Sequence, residues 1–174
     1  YIGRRLHHKI IVSDAKTALI GGINIADKYR GTEKNGAWLD YAVEINDENI
    51  AKSLQELCSD IYFKNRIIRR KKISSSYENS AIASVSVLQN DWLKRKNEVF
   101  KTYINKINTA QKEIIIVSSY FLPGKKLIRT LKKASQNKVS IKLILSGMSD
   151  VPMVKRASCH LYSKLLRYNI ELYE

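Results

Sequence analysis

The sequence is poor in acidic residues and in cysteine, and it has no long apolar run. Its 16 Asp and Glu stand against 31 Lys and Arg, which gives a formal net charge of +15. That balance favours anionic partners, namely phospholipid headgroups, nucleic acid or phosphorylated substrates. The two cysteines, Cys58 and Cys159, form no CxxC pair, which argues against a thiolate metal site and fits a reduced, cytosolic setting.

No stretch of about 18 apolar residues suggests a membrane span, and no secretory signal is present. The chain starts at Tyr1 rather than at Met, in what reads as the lead-in to a strand. We therefore expect a fragment of a longer protein, in which targeting signals can lie elsewhere.

A set of polar residues at fixed offsets stands near the start of the chain: His7, Lys9, Asp14, Gly22 and Asn24. Imidazole, ammonium and amide groups together suit a phosphate. Lys9 supplies charge, Asn24 supplies donors, and His7 supplies a nitrogen that can attack or transfer a proton. Gly22 and the glycine before it let the backbone turn tightly or approach a ligand closely.

Strand and helix patterns alternate along the rest of the chain. Residues 9–13 and 17–20 predict two strands, and strand alternation places His7 and Lys9 on one face with His8 on the other. Further segments predict strands at 38–45, 113–118, 140–145 and 170–174, and helices at 47–65, 89–112, 126–136 and 153–166, with Asp47 as a helix cap. The alternation predicts a mixed α/β fold with a largely parallel sheet.

The spacing HxKxxxxD followed by GGxN resembles the signature of the phospholipase D superfamily. The wording GGIN at residues 21–24 is closer to the bacterial cardiolipin synthases, and Trp38 and Asp40 match the W-x-D strand of that family. Residues 114–174 are similar to the start of the second catalytic half of those enzymes. Asn137 departs from the family, which usually has Gly there, but Asn also tolerates a left-handed turn.

The resemblance implies an incomplete pseudo-twofold architecture, with a phospholipase D-like, largely parallel sheet flanked by helices. Residues 1–72 would be the end of the first half, 73–88 a linker, and 89–174 the beginning of the second half. The second HxK motif would lie beyond residue 174. The basic run at 66–72 reads either as a solvated linker or as a segment attracted to an anionic bilayer.

The resemblance also implies roles for individual residues. His7, Lys9 and Asp14 would be the catalytic signature, with His7 forming a phosphohistidine, and Gly22 and Asn24 would bind phosphate. His160, one turn from Arg156 and Lys164, could face an anionic substrate. No cofactor and no metal are implied.

Each residue also has a structural interpretation. Asp14 suits a turn, Asn24 can stabilise a turn with its amide, and His160 can be a surface histidine on a helix. The aromatic turn at 120–123 can either contact a ligand or anchor its loop by packing. The basic helix at 125–138 could lie on a membrane, but we prefer that its apolar stripe packs on the sheet.

Three functions fit these patterns. The first is a cardiolipin synthase-like phosphatidyltransferase that acts on phosphatidylglycerol or a related phospholipid, at the cytoplasmic face of the cell membrane. Its partners would be the anionic membrane surface and a second HxK half, in the same chain or across a homodimer. The second is a phospholipase D-type nuclease acting on nucleic acid, and the third is a non-catalytic module that binds anionic membranes. We expect the 174 residues alone to be nearly inactive.

Overall fold

The computed structural model describes residues 7–32, 36–63, 74–75, 85–88, 90–91 and 96–174. The chain separates into two compact units, Tyr1–Val87 and Leu88–Glu174. The helices of the described residues are α1 (Glu48–Tyr62), α2 (Glu98–Thr109), α3 (Lys125–Gln136) and α4 (Pro152–Leu166). Their strands are β1 (Ile10–Ser13), β2 (Thr17–Gly21), β3 (Ala42–Asn46), β4 (Ser74–Ser75), β5 (Val85–Ser86), β6 (Asn90–Asp91), β7 (Lys96–Asn97), β8 (Glu113–Ser118), β9 (Ser140–Leu145) and β10 (Glu171–Tyr173). The predicted mixed α/β class is confirmed.

The first unit contains a three-stranded antiparallel sheet in the order β1-β2-β3. Three residues, 14–16, join β1 to β2, and so short a connection can only reverse the chain into an antiparallel partner. Asp14 and Ala15 in this turn have φ values of 51° and 53°. We predicted a largely parallel sheet, and among the described residues parallel pairing is found in the second unit.

Helix α1 covers one face of this sheet. The side chain of Asp47 accepts a hydrogen bond from the backbone N–H of Ile50 at 2.9 Å, which caps the helix as the sequence predicts. One apolar stripe of α1 is buried against the strands, in a cluster of Ala18, Ile45, Ile50, Ala51, Leu54 and Leu57. This packing anchors the sheet whose other end carries the candidate site.

The second unit is built on a parallel sheet in the order β10-β9-β8. Its core includes Leu131 from α3, Leu143 from β9 and Leu165 from α4, each with no more than 1% of its surface exposed. The apolar stripe of α3 thus packs in the protein core, which confirms our preference that this stripe packs within the protein.

Several predicted boundaries are wrong. Strand β3 begins at Ala42 instead of Trp38, because the N–H of Trp38 donates to the carbonyl of Lys28 at 2.9 Å and not to β2. Helix α2 begins at Glu98 instead of residue 89, because the short strands β6 and β7 pair just before it. The left-handed residue after α3 is Lys138, with φ of 65°, and not the neighbouring Asn137, with φ of −83°.

Other predictions fall outside the described residues. These are the basic run at 66–72 and most of the linker at 73–88, of which 74–75 and 85–88 are described. The assignment of 1–72 and 89–174 to two catalytic halves stays a prediction.

Candidate active site

Three strand ends meet at one end of the antiparallel sheet. The N–H of Gly21 donates to the carbonyl of Lys9 at 3.2 Å, which continues the pairing of β1 with β2 by one residue. The N–H of Gly22 donates to the carbonyl of Tyr41 at 3.1 Å and so continues the pairing of β2 with β3. The residues just before β1, just after β2 and just before β3 are therefore neighbours.

His7 and Lys9 lie in the extended lead-in to β1, with His7 exposed and Lys9 half-buried. The Lys9 ammonium donates to the carbonyl of His7 at 3.0 Å. This hydrogen bond is exposed, and such bonds contribute only about 1 kcal/mol net. The ammonium can therefore exchange a backbone carbonyl for a phosphate oxygen at small cost.

The backbone at Gly22 lies close to the side chain of Asp40. A Cβ atom at Gly22 would lie 2.3 Å from Oδ1 of Asp40, so the carboxylate of Asp40 occupies the space that any larger residue would need. The same oxygen accepts a hydrogen bond from the N–H of Tyr41 at 2.7 Å. Sequence reasoning matched Asp40 to the W-x-D strand but did not count it among the site residues. Its place beside Gly22 follows from the register of β2 and β3.

Asn24 is held by an aromatic group that follows β2. Its Nδ2 donates to the hydroxyl of Tyr29 at 3.3 Å. The ring of Tyr29 lies edge-on to that of Trp38, with centroids 6.1 Å apart, and the ammonium of Lys28 lies 3.8 Å from the Trp38 centroid. These contacts fix the exposed loop that presents the amide of Asn24 at the same end of the sheet as His7 and Lys9.

Asp14 is not part of this group. It is exposed in the turn between β1 and β2, at the opposite end of the hairpin from Lys9 and Gly21. With about 3.3 Å per residue along a strand, more than 10 Å separates the two ends. Its left-handed φ of 51° fits the turn role, since Asp adopts that conformation more readily than most residues. A direct catalytic role for Asp14 stays a prediction, and the position of Asp14 gives it no support.

His160 lies in the second unit, exposed on α4 one turn from the exposed Arg156 and Lys164. The three side chains make a basic stripe on one side of the helix. A role facing the substrate stays a prediction.

The carboxyl end of the parallel sheet holds a second polar group. The hydroxyl of Tyr120 donates to the carboxylate of Asp150, and this hydrogen bond raises the pKa of Tyr120. Glu174 accepts from Lys155 and from Tyr162, and these bonds lower the pKa of the Glu174 carboxyl. Phe121 is buried, and its carbonyl accepts from Ser158 at 3.1 Å, so this aromatic residue anchors its loop by packing.

The described ranges contain no group of three or more His, Cys, Asp or Glu side chains that could hold a metal ion. In the same residues, no helix is long and apolar enough to cross a membrane.

Comparison with known proteins shows what the chain is similar to, and the family match falls in the second unit. Residues 103–174 match the family described as "Cardiolipin synthase, PLD-like domain". Cardiolipin synthase B of Shigella flexneri is 30% identical over 174 residues, covering 98% of this chain and 42% of its own. The minor cardiolipin synthase ClsB of Bacillus subtilis is 30% identical over 167 residues, covering 95% and 41% of the two chains.

The resemblance to the phospholipase D-like cardiolipin synthases is confirmed. The fold is similar to that of phosphatidylserine synthase from Haemophilus influenzae, with a TM-score of 0.61 over 96% of this chain and 47% of that one, at 14% identity. The chain spans about two fifths of the length of the curated relatives that it matches.

Proposed function

We propose that this chain is part of a cardiolipin synthase-like phosphatidyltransferase and that His7 is its nucleophile. The observation that carries the proposal is the meeting of three strand ends, where His7, Lys9, Gly22 and Asn24 lie at one end of the sheet. The names and identities of the relatives support a phospholipid substrate over other phosphodiesters.

The reaction divides into two displacements at phosphorus. A nitrogen of His7 attacks the phosphorus of phosphatidylglycerol. The bond from phosphorus to the oxygen of the headgroup glycerol breaks as a second histidine, from another catalytic half, protonates that oxygen. The same second histidine then removes the proton from a hydroxyl of another phosphatidylglycerol. That oxygen attacks the phosphohistidine, forming cardiolipin and freeing His7. Glycerol is the other product.

Lys9 and Asn24 act on the charge of the phosphate. The ammonium of Lys9 and the amide of Asn24 would donate to the non-bridging oxygens, where negative charge builds as the nucleophile adds. Gly22 has no side chain, and the space that a Cβ would need is taken by the carboxylate of Asp40. Contact between the phosphate and the backbone at Gly22 stays a prediction.

Two adjacent histidines provide a matched test. In the natural protein that contains this chain, His7→Ala should lower transfer from labelled phosphatidylglycerol by at least about a thousandfold, because the nucleophile is lost. His8→Ala removes the neighbouring exposed imidazole and should change transfer by less than about threefold. Acid-labile phosphate should be trapped on the wild-type chain and on His8→Ala, but not on His7→Ala.

Equal activity of His7→Ala and wild type would contradict the proposal and favour a non-catalytic membrane-binding module. Cleavage of DNA or RNA by a protein that transfers no lipid would favour the nuclease alternative, for which the net charge of +15 is equally suitable.

We also propose that the 174 residues alone are nearly inactive, because the sequence contains one HxK motif and the mechanism uses two histidines. A rate that rises with the square of the chain concentration would indicate that two copies supply the pair. A rate equal to that of the longer protein, from a strictly monomeric chain, would contradict this part.

The place of action that we propose is the cytoplasmic face of the cell membrane. After fractionation of cells, the longer protein should be in the membrane fraction. Its presence in the soluble fraction alone would contradict this placement.

A further inference from the structure

A basic cleft lies on the surface of the second unit, between α3 and the end of α4. It encloses about 410 Å³ and is lined by Lys125, Ile128, Arg129, Lys132, Lys164 and Tyr168. Every one of these residues belongs to the second unit, whereas His7 and its neighbours belong to the first. The residues that line the cleft are therefore different from those of the candidate active site.

The shape of the cleft follows from the two faces of α3. One face of the helix, with Leu131 and Ala134, is buried in the core, so the cations on the adjacent face stay at the surface. The hydroxyl of Ser135 donates to the carbonyl of Tyr168 at 2.5 Å and ties the end of α4 to α3. The ammonium of Lys132 lies 5.2 Å from the ring of Tyr168, which forms an apolar wall. The walls are thus fixed relative to each other.

The charges of the cleft have no counterpart within it. Among the residues that the structure describes, no acidic side chain lines the cleft, and none of the ion pairs of those residues includes its four cations. The cleft also borders the first turn of α3, where no side chain caps the helix and the backbone N–H groups add positive potential. Four like charges in one cleft repel each other until an anion enters.

We propose that this cleft binds the phosphate of an anionic phospholipid and holds the second unit against the surface of the bilayer. The positive charge calls for an anion, and the apolar wall of Ile128 and Tyr168 suits the glycerol and upper acyl part of a lipid. The choice of a phospholipid among phosphates rests on the proposed function.

Helix α3 offers a matched pair of double variants. Lys125→Gln with Lys132→Gln removes two charges from the cleft. Lys126→Gln with Lys133→Gln removes two exposed charges from the same helix, at the same spacing, outside the cleft. Both pairs have the same net charge, so any difference between them reports position and not total charge.

The measurement is co-sedimentation of the chain with vesicles of phosphatidylcholine, with and without phosphatidylglycerol. The wild-type chain should bind the vesicles that contain phosphatidylglycerol, and salt should weaken that binding. The cleft pair should weaken it about thirtyfold, and the control pair less than about threefold. Circular dichroism checks that both variants fold like the wild type.

Equal weakening by the two pairs would overturn the proposal, because binding would then follow net charge alone. Full displacement from the vesicles by inorganic phosphate at constant ionic strength would also overturn it, since the cleft would then take a free anion. Vesicle binding needs no turnover, so the two proposals fail separately. If the protein transfers lipid but the two double variants bind vesicles equally, only the cleft proposal is refuted. If the two double variants bind vesicles differently but the protein transfers no lipid, only the proposed function is refuted.

Discussion

Two adjacent glycines should respond very differently to the same substitution. A Cβ at Gly21 would lie 2.6 Å from the carbonyl oxygen of Tyr41 and 2.9 Å from the Cα of Ala42, which are backbone atoms of the neighbouring strand. A Cβ at Gly22 would instead meet the side-chain carboxylate of Asp40, at 2.3 Å from Oδ1. Backbone atoms of a paired strand cannot move aside alone, whereas a carboxylate can rotate.

The magnitudes follow from those contacts. Gly21→Ala has to part β2 from β3 at this end, which should lower the free energy of unfolding by about 2–3 kcal/mol, as overpacking does elsewhere. Gly22→Ala displaces the carboxylate of Asp40 and breaks the hydrogen bond that the Tyr41 N–H donates to it. This loss should lower the free energy of unfolding by about 1 kcal/mol. The smaller conformational freedom of the unfolded Ala variant offsets about 0.4–1 kcal/mol of that. Its net change should stay within about 1 kcal/mol.

Amide hydrogen exchange in β2 and β3, measured together with urea unfolding, tests the contrast. Gly21→Ala should speed exchange of both strands, and Gly22→Ala should leave their exchange close to that of the wild type. Equal destabilisation by the two variants would refute the register of β2 and β3 on which the candidate site depends. If Gly22→Ala keeps its stability, any loss of lipid transfer reports a local change at the site, from the added methyl group or from the displaced carboxylate of Asp40.

Three further predictions concern the scaffold. Asp47→Ala should lower the free energy of unfolding by about 1 kcal/mol in urea titrations, and Asp47→Asn should restore most of it, because the cap needs an acceptor for the Ile50 N–H. Ser158→Ala removes the buried donor to the Phe121 carbonyl and should cost about 1–3 kcal/mol, against no change for the exposed Ser163→Ala. Glu174 has a lowered pKa, so its contribution to stability is present above the unfolded-state pKa and is lost as the pH falls through the folded-state value. Glu174→Gln should therefore make the thermal midpoint of the second unit less sensitive to acid, and an unchanged pH profile would contradict this account.

Local patterns were sufficient where a short segment decides its own conformation. The Asp47 cap could be predicted because an Asp before an apolar helical stripe has few other roles. Strands β8 and β9 match their predicted bounds, since runs of β-branched residues next to polar ones define both ends. The burial of α3 through Leu131 followed from its helical spacing.

Long-range hydrogen bonds decided what the patterns could not. Trp38 lies in a segment that alternates like a strand, yet its N–H bonds to Lys28, ten residues earlier in the chain. The side chain of Asn90 accepts from the N–H of Val99, nine residues later, and α2 starts at Glu98 instead of at residue 89. Neither partner can be identified from residue type alone.

The candidate site shows the same division. The residue types and spacing of His7, Lys9 and Asn24 are sufficient to indicate phosphate chemistry. The signature also contained Asp14, and its alternative interpretation as a turn residue agrees with its place at the far end of the hairpin. Asp40 was not predicted as a site residue. Its position beside Gly22 depends on strand register, which the alternation of apolar and polar residues does not determine.

The hairpin of β1 and β2 has a consequence for the order in which the protein folds. Its turn has left-handed φ at both Asp14 and Ala15, the requirement of turns whose twist matches the two strands. Closing a loop between residues so close in sequence costs little entropy, and hairpins form in about 1–10 μs. We therefore expect HxK and GGxN to come together early in folding, by local pairing, before contacts between distant parts of the chain have formed.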